Sequence, residues 1–343
     1  MSDPPGTAAD TVPVGAARRR AAPEAPEGGL GSRRDRLVPA AIVGVTLVAV
    51  VAAIAVTPNF ASVDNVRAIL RNASIVGIVA VAMTPITLSG NFLSLGTQQS
   101  AMAASVGFVA LLANGWSAAP AILAIVGVLV LIGILQGLVV AAGLNPIITT
   151  LAVGAIVFGV VADATNGGIV RAGDNAVTWG NSTIVGIPLE VGVFLIFAAA
   201  VSVFMAKTVT GRETILSGSN RLTAEVSGIS FRRVTVVAFV IFSIGLAIAG
   251  VLNGAGFGQA TVNSFNTLTI DVVAAILVGG TAIAGGYGSP LRSAAGAVLI
   301  AVISNIMVLN DFSTGGRLAV QGTVVVAVVI LLELLRRNRE VTR

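Results

Sequence analysis

The sequence predicts an all-α polytopic membrane protein of about ten transmembrane helices, and three observations predict it. The 343 residues are 55% hydrophobic and only 10% charged, against ~45–50% and roughly 25% in soluble domains. Residues 72–162, 91 in succession, contain no Asp, Glu, Lys or Arg. At ~20 residues per crossing such a run holds about four spans, and a soluble domain could not leave it uncharged and still have a surface. Finally, the basic residues are unevenly placed. With the N-terminus inside, 16 of the 20 lysines and arginines fall in cytoplasmic pieces, leaving Arg67, Arg71, Arg171 and Arg317 on the other side. That positive-inside bias requires an even number of spans. Helices are the choice because backbone groups in lipid must pair within a helix or a closed barrel, and a barrel would show short alternating segments.

The elements follow in order. Residues 1–36 form a tail of Pro, Ala, Gly and Arg with too little apolar content to bury, so disorder is expected there. Its arginines hold the N-terminus in the cytoplasm rather than bind nucleic acid. The apolar run 37–56 exceeds the ~7–15 residues of a signal-peptide core and reads as a retained first span. Further spans are expected at 69–88, 93–113, 118–140, 146–162, 190–206, 234–253, 270–284, 294–310 and 318–335, with a short cytoplasmic tail at 336–343. The transmembrane domain is thus 37–335. The segments 93–113 and 270–284 are rich in Gly, Ser and Gln, which suits broken or re-entrant helices. The two glycine-rich stretches 88–96 and 278–286 also echo one another, each preceding a small-residue helix.

Chemistry is bounded by what is missing. The chain has no His and no Cys, which excludes disulfides, thiol or imidazole catalysis and a histidine- or cysteine-based metal site within it. No metal site and no cofactor in this chain are expected. The acids near spans, Asp163, Glu190, Asp271, Asp311 and Glu333, all fall at predicted span ends, which argues against proton coupling. Polar residues inside spans are neutral, Gln98, Gln136 and Asn253 among them. They suit a pathway for a neutral polar solute, and equally the hydrogen bonds that join helices. No Gly-rich Lys-Ser/Thr phosphate loop occurs, so the chain is not expected to hydrolyse ATP.

The internal loop 207–233 is the most charged stretch of the hydrophobic body. Asn220 is suited to cap a helix N-terminus and Gly228 to stop it, which predicts a two-turn helix over 221–227. Leu222 and Val226 stand at i, i+4 and share a face with Ile229, surrounded by Arg212, Arg221, Arg232 and Arg233. A short, capped, apolar-faced helix set in charge fits a groove on a soluble partner. Lying on anionic headgroups is the plainer reading of the same pattern.

This loop resembles the coupling loop in permease subunits of bacterial ABC importers for ribose, xylose, galactose and related monosaccharides. The matching residues are Thr208, Gly211, Arg212, Gly218, Asn220, Ala224, Ser227, Gly228 and Ile229. Other matches are Pro58-Asn59-Phe60 with Asn65, the signature Ser89-Gly90 with Leu93-Ser94 and Gly96, Thr165-Asn166-Gly167, Gly245-Leu246 with Ala249-Gly250, and Gly279-Gly280-Thr281 with Gly285, Gly286 and Gly288. The resemblance covers about residues 40–335. It implies an ABC ATPase subunit, an extracytoplasmic solute-binding protein and a second permease copy as partners, in a bacterial inner membrane with both termini cytoplasmic. It also implies that Gly211, Arg212, Asn220, Ala224, Glu225 and Gly228 couple the chain to the ATPase. Phe92, Gln98, Gln136 and Asn253 are the pathway candidates.

Three departures bear on the solute. Phe92 replaces an acid common in the sugar members, Thr269 stands where they carry Glu, and Tyr287 replaces a basic residue. They fit a different polar solute, or the diverged half of a heterodimeric permease. A secondary transporter using Asp271 as its coupling acid is the rival from another class.

Overall fold

The computed structural model describes residues 33–173, 178–184, 186–323 and 326. Its helices are α1 (Arg33–Val56), α2 (Val63–Leu88), α3 (Thr97–Ala113), α4 (Ala118–Ala141), α5 (Pro146–Thr165), α6 (Leu189–Lys207), α7 (Val209–Ser219), α8 (Arg221–Val226), α9 (Phe231–Phe257), α10 (Leu268–Val278) and α11 (Pro290–Leu309). A further helix, α12, runs over 314–323. Each of the ten expected spans meets one of α1–α6 or α9–α12. Helix α1 starts at Arg33, inside the stretch expected as tail; residues 1–32, the C-terminal tail and most of the last span lie outside the described residues. Six described helices, α2, α4, α5, α6, α9 and α11, are long and apolar enough to cross a membrane.

Local chemistry sets the helix starts. Asn145 accepts from the N–H groups of Ile147 and Ile148 with Pro146 following it, and Ser289 accepts from the Arg292 N–H ahead of Pro290. Both are a polar N-cap with proline at the first helical position, where its missing N–H costs nothing.

Helices α2 and α9 form the centre. In α2 78% of the most apolar window is buried, against 17% in α5. So α5, like α4 and α6, turns an apolar face outward, as lipid-facing helices do. Small residues bring the inner helices together. A Cβ on Gly245 would stand 2.3 Å from the Ala82 methyl on α2, and one on Gly250 would stand 2.7 Å from the Ala101 carbonyl oxygen on α3. Gly133 and Gly137 seat α4 on α9 in the same way, against Phe239, Ser243 and Val236. The upper end of the bundle is taken here as the one where α1 ends and α2 begins; the lower end carries α7 and α8.

Helices α3 and α10 are the broken ones, and their geometry departs from two simple spans. After α2 ends at Leu88, residues 89–96 climb back into the bundle without helix. Asn91 donates to Thr235 Oγ1 (3.0 Å) near the bottom of α9, and the Leu95 N–H donates to Thr150 Oγ1 (3.1 Å) on α5. Helix α3 then begins part-way up and runs beside α9 in the same direction. Helix α10 is 11 residues long and descends against α11, with a Cβ on Gly296 reaching 2.1 Å from the Ala275 carbonyl oxygen. The two helices start at the same place, since the Gln98 N–H donates to Thr269 Oγ1 (3.2 Å). Two half-helix N-termini therefore face one another inside the bundle.

Above them, strand β1 (Val170–Arg171) pairs antiparallel with β4 (Gln259–Ala260), and β2 (Thr183–Ile184) with β3 (Ile187–Pro188). Trp179 meets Phe108 edge-on at 6.3 Å, so this polar excursion lies over α3 and α9.

Candidate functional site

At the lower end, the six candidate coupling residues fall within one continuous segment made of α7, α8 and the turn that follows. Thr208 caps α7, its hydroxyl accepting from the Gly211 N–H at 3.0 Å. Gly211 is buried where α7 folds back on α6; a Cβ there would lie 2.5 Å from the Phe204 carbonyl oxygen, so only glycine makes this corner. Arg212 is exposed. Asn220 accepts from the Thr223 N–H at 3.0 Å and opens α8, which stops at Val226, one residue before the expected end. Gly228 follows at φ 81°, the left-handed conformation that ends a helix at little cost only with glycine.

Among the described residues, none covers the face of α8 that carries Leu222 and Val226. They are 77% and 87% exposed, while Ala224 is buried beneath. Arg221 holds the helix in place: its Nε is 3.0 Å from Glu225 Oε1, and its guanidinium sits 3.7 Å over the centre of the Phe231 ring at the start of α9. A guanidinium over a ring is attracted by the ring quadrupole. Glu225 therefore orients α8 through Arg221.

Immediately above α8, three glycine-bearing segments touch backbone to backbone. The Gly286 N–H donates to the Leu88 carbonyl at 3.0 Å. A Cβ on Gly218, at the end of α7, would fall 1.8 Å from the same carbonyl oxygen, and one on Gly285 would fall 2.8 Å from the Gly90 Cα. Gly285 and Gly286 have φ of 93° and 73°. The two stretches that echo one another in sequence are thus in direct contact, and α7 ends on both.

At the upper end lies a cavity of about 820 Å³. Helix α2 gives it Asp64, Arg67, Arg71 and Asn72; α6 gives Glu190; α9 gives Asn253; the start of α10 gives Asn266, Thr267 and Asp271; α12 gives Thr314 and Arg317. Arg67 is 3.6 Å from Asp64, and Arg71 is 3.5 Å from Glu190. Asp271 is buried and accepts from Thr267 Oγ1 (2.9 Å) and from Gln321 Nε2. It sits one turn inside the bundle, so the expectation that every acid falls at a span end is corrected: the half-helix start carries this one inward.

The pathway candidates separate here. Asn253 lines the cavity and accepts from Ser105 Oγ at 3.3 Å. Gln98 does not line it, but its Nε2 is 3.4 Å from Oδ1 of Asn266, which does. Gln136 is buried on the α4 face that packs on α9 and does not line the cavity. Phe92 lies in the 89–96 break, half-exposed at φ 57°. Sequence reasoning missed Arg67, Arg71, Glu190 and Arg317 as a group. Their shared signal was that three of them are basic residues outside the cytoplasmic pieces, but nothing in spacing shows that α2, α6 and α12 converge.

Comparison with known proteins gives a consistent picture. Residues 65–332 match the family described as branched-chain amino acid transport system / permease component. The chain is 30% identical over 297 residues to the ribose import permease protein of Haemophilus influenzae, covering 83% of this chain and 90% of the relative. It is 28% identical over 275 residues to a probable ABC transporter permease protein of Escherichia coli, covering 80% and 82%. It is 33% identical over 127 residues to the xylose transport system permease protein of Escherichia coli, covering 37% and 32%. No solved structure matches it.

Proposed function

Because the chain belongs to this permease-component family of ABC transporters, we propose that it is the membrane-spanning subunit of a binding-protein-dependent importer for a small neutral polar solute, a monosaccharide. It is a transport subunit rather than an enzyme, and the energy comes from ATP hydrolysis on a separate subunit. The lower end is the cytoplasmic one, consistent with Lys207, Arg212, Arg221, Arg232 and Arg233 gathering there. The upper end faces the extracytoplasmic solute-binding protein, and a second permease copy, identical or different, completes the core. The monosaccharide reading draws on the ribose and xylose relatives and on the neutral balance of the cavity.

The observation that carries the proposal is the bare apolar face of α8. Leu222 and Val226 are two large aliphatic side chains presented to solvent on a rigidly capped helix, a surface that gains by entering a groove. Movement of α8 would reach the bundle through α7 and the glycine junction, because α2 and α10 both run from that junction to the cavity. Gly211 and Asn220 fix the shape of the loop, Glu225 and Ala224 fix the seat of α8, and Arg212 offers charge to the partner.

The test is Gly228→Pro or deletion of 221–227 in cells that take up the solute. Transport should be lost with normal amounts of protein in the membrane; normal uptake by either variant overturns the coupling assignment.

One observation favours a second reading, a secondary transporter coupled through Asp271: this carboxylate is buried inside the bundle beside the half-helix starts. Under that reading uptake survives ATP depletion and collapses with the proton gradient.

A further inference from the structure

The upper cavity contains a buried acceptor that its surroundings leave unused. Glu190 is only 4% exposed, and its Oε2 has no hydrogen-bond partner among the described residues. Its other oxygen faces Arg71 at 3.5 Å. A carboxylate offers about four lone-pair positions, and a buried polar atom without a partner is costly enough to need a reason. Across the same cavity Arg67 and Arg317 each hold a buried Nε without a hydrogen-bond partner among the described residues. Unused acceptor and donor atoms thus belong to residues that line one space.

The charge balance says what kind of guest would use them. Three arginines, Arg67, Arg71 and Arg317, line the cavity with three acids, Asp64, Glu190 and Asp271. An ion of either sign gains nothing net from such a lining. A polyhydroxylated neutral molecule gains from both halves, since each hydroxyl donates once and accepts twice. Asn253 and Asn266 add amides of the same double character, and Phe257 and Phe265 supply apolar wall. The volume, about 820 Å³, is within the ~300–1,000 Å³ typical of small-molecule sites. The start of α10 forms part of the lining, with Asn266, Thr267 and Leu268, and its helix N-terminus adds fixed donor polarity.

We propose that this cavity, inside a single permease subunit, is a holding site for the neutral polyhydroxylated solute, with Glu190 accepting from two of its hydroxyls and Arg71 donating to a third oxygen. The site rests on the importer reading above but adds a place where the solute is bound before it crosses.

The chain has no cysteine, so an introduced thiol is the only one in this subunit, and labelling is read on this subunit after the complex is separated by electrophoresis. In the full transporter reconstituted in proteoliposomes, Asn253→Cys and Thr267→Cys are labelled with a water-soluble methanethiosulfonate, with and without D-ribose, D-xylose or D-galactose at millimolar concentration. At least one sugar should slow labelling at both positions about tenfold, and Glu190→Gln in the same background should remove the protection. Glu190→Asp, which keeps the charge, should retain part of it, and Leu123→Ala on the outer face of α4 should retain all of it. Absence of protection by any of the three sugars, with ATP-driven uptake of one of them intact, overturns the holding site and leaves the importer reading standing. Uptake that is independent of ATP overturns the importer reading instead. Loss of solute-binding-protein association in Glu190→Gln, without sugar protection in the parent, makes the cavity a protein socket and also overturns the proposal.

Discussion

The lower end of the bundle and the upper end solve opposite problems with different materials. Below, the side-chain hydrogen bonds that shape the α7–α8 loop are local: Thr208 to Gly211, Asn220 to Thr223, Arg221 to Glu225. Segments that are distant in sequence meet through bare backbone at Gly90, Gly218, Gly285 and Gly286. Above, side-chain hydrogen bonds and ion pairs also reach between helices, and they join Asn65 to Asn305, Arg71 to Glu190 and Gln321 to Asp271. Several side-chain atoms there have no partner among the described residues. The lower end is a close-packed joint and the upper end an open polar vestibule. A joint can pass displacement because it has no slack, while a vestibule can accept a guest because its groups are not consumed by one another.

The largest expected effect comes from filling the joint. Gly218→Val places a branched side chain where even a Cβ would fall 1.8 Å from the Leu88 carbonyl oxygen. Backbone, rather than a side chain that could rotate away, is what it meets. Overpacking of this kind costs about 1–3 kcal/mol or more, and ATP-driven uptake should disappear. Gly228→Ala is the control that sharpens the contrast. It meets nothing within 4 Å and is strained only by its φ of 81°, a cost of roughly 1–2 kcal/mol. Uptake by that variant should fall only a few-fold, and equal loss in both would mean that packing at the joint is not what matters.

Next in size is the docking face. Leu222→Asp with Val226→Asp changes two exposed side chains and no internal bond. Thermal stability of the detergent-solubilised chain should stay within a degree or two, while recovery of the ATPase subunit on purification should drop at least tenfold. Stable recovery would move docking elsewhere on the lower surface, with Arg212 and Arg232 the first positions to examine.

The upper end offers the test between transporter classes. Asp271→Asn keeps a group of the same shape between Thr267 and Gln321, though one of its two atoms then donates instead of accepting. An ATP-driven importer should retain uptake within about fivefold. A secondary transporter coupled through this acid should lose it entirely. Uptake measured with ATP depleted and with the proton gradient collapsed separates the two outcomes in one pair of assays.

How legible each end was in the sequence follows from the range of its interactions. The helix 221–226, its cap at Asn220 and its stop at Gly228 were readable because each depends on a residue within four positions. The two broken spans were readable from their Gly, Ser and Gln content. That their starts meet, through Gln98 and Thr269, was not. Nor was the cavity: Arg71 and Glu190 are separated by more than a hundred residues, and only the packing of α6 on α2 brings them together. Among the pathway candidates, Asn253 lines the cavity while Gln136 is on a helix-packing face, and polarity within an apolar run cannot tell those roles apart.

The smallest expected effect is at Phe92, where the sequence departs from the resembling family. Its backbone is at φ 57° and its ring is 47% exposed. A bulky residue is uncommon in that conformation, whereas Asp and Asn enter it readily because their short polar side chains can bond locally. Phe92→Asp should therefore be neutral or stabilising by some tenths of a kcal/mol to about 1 kcal/mol, read as a small rise in Tm. Any change in uptake rate or sugar preference on top of that rise cannot come from lost stability and would place position 92 on the solute's route. A rise in Tm with unchanged transport would instead mean that the phenylalanine serves the lower end, where the 89–96 break leaves Gly90 against the joint, and that the acid of the resembling permeases answers a backbone preference rather than a sugar.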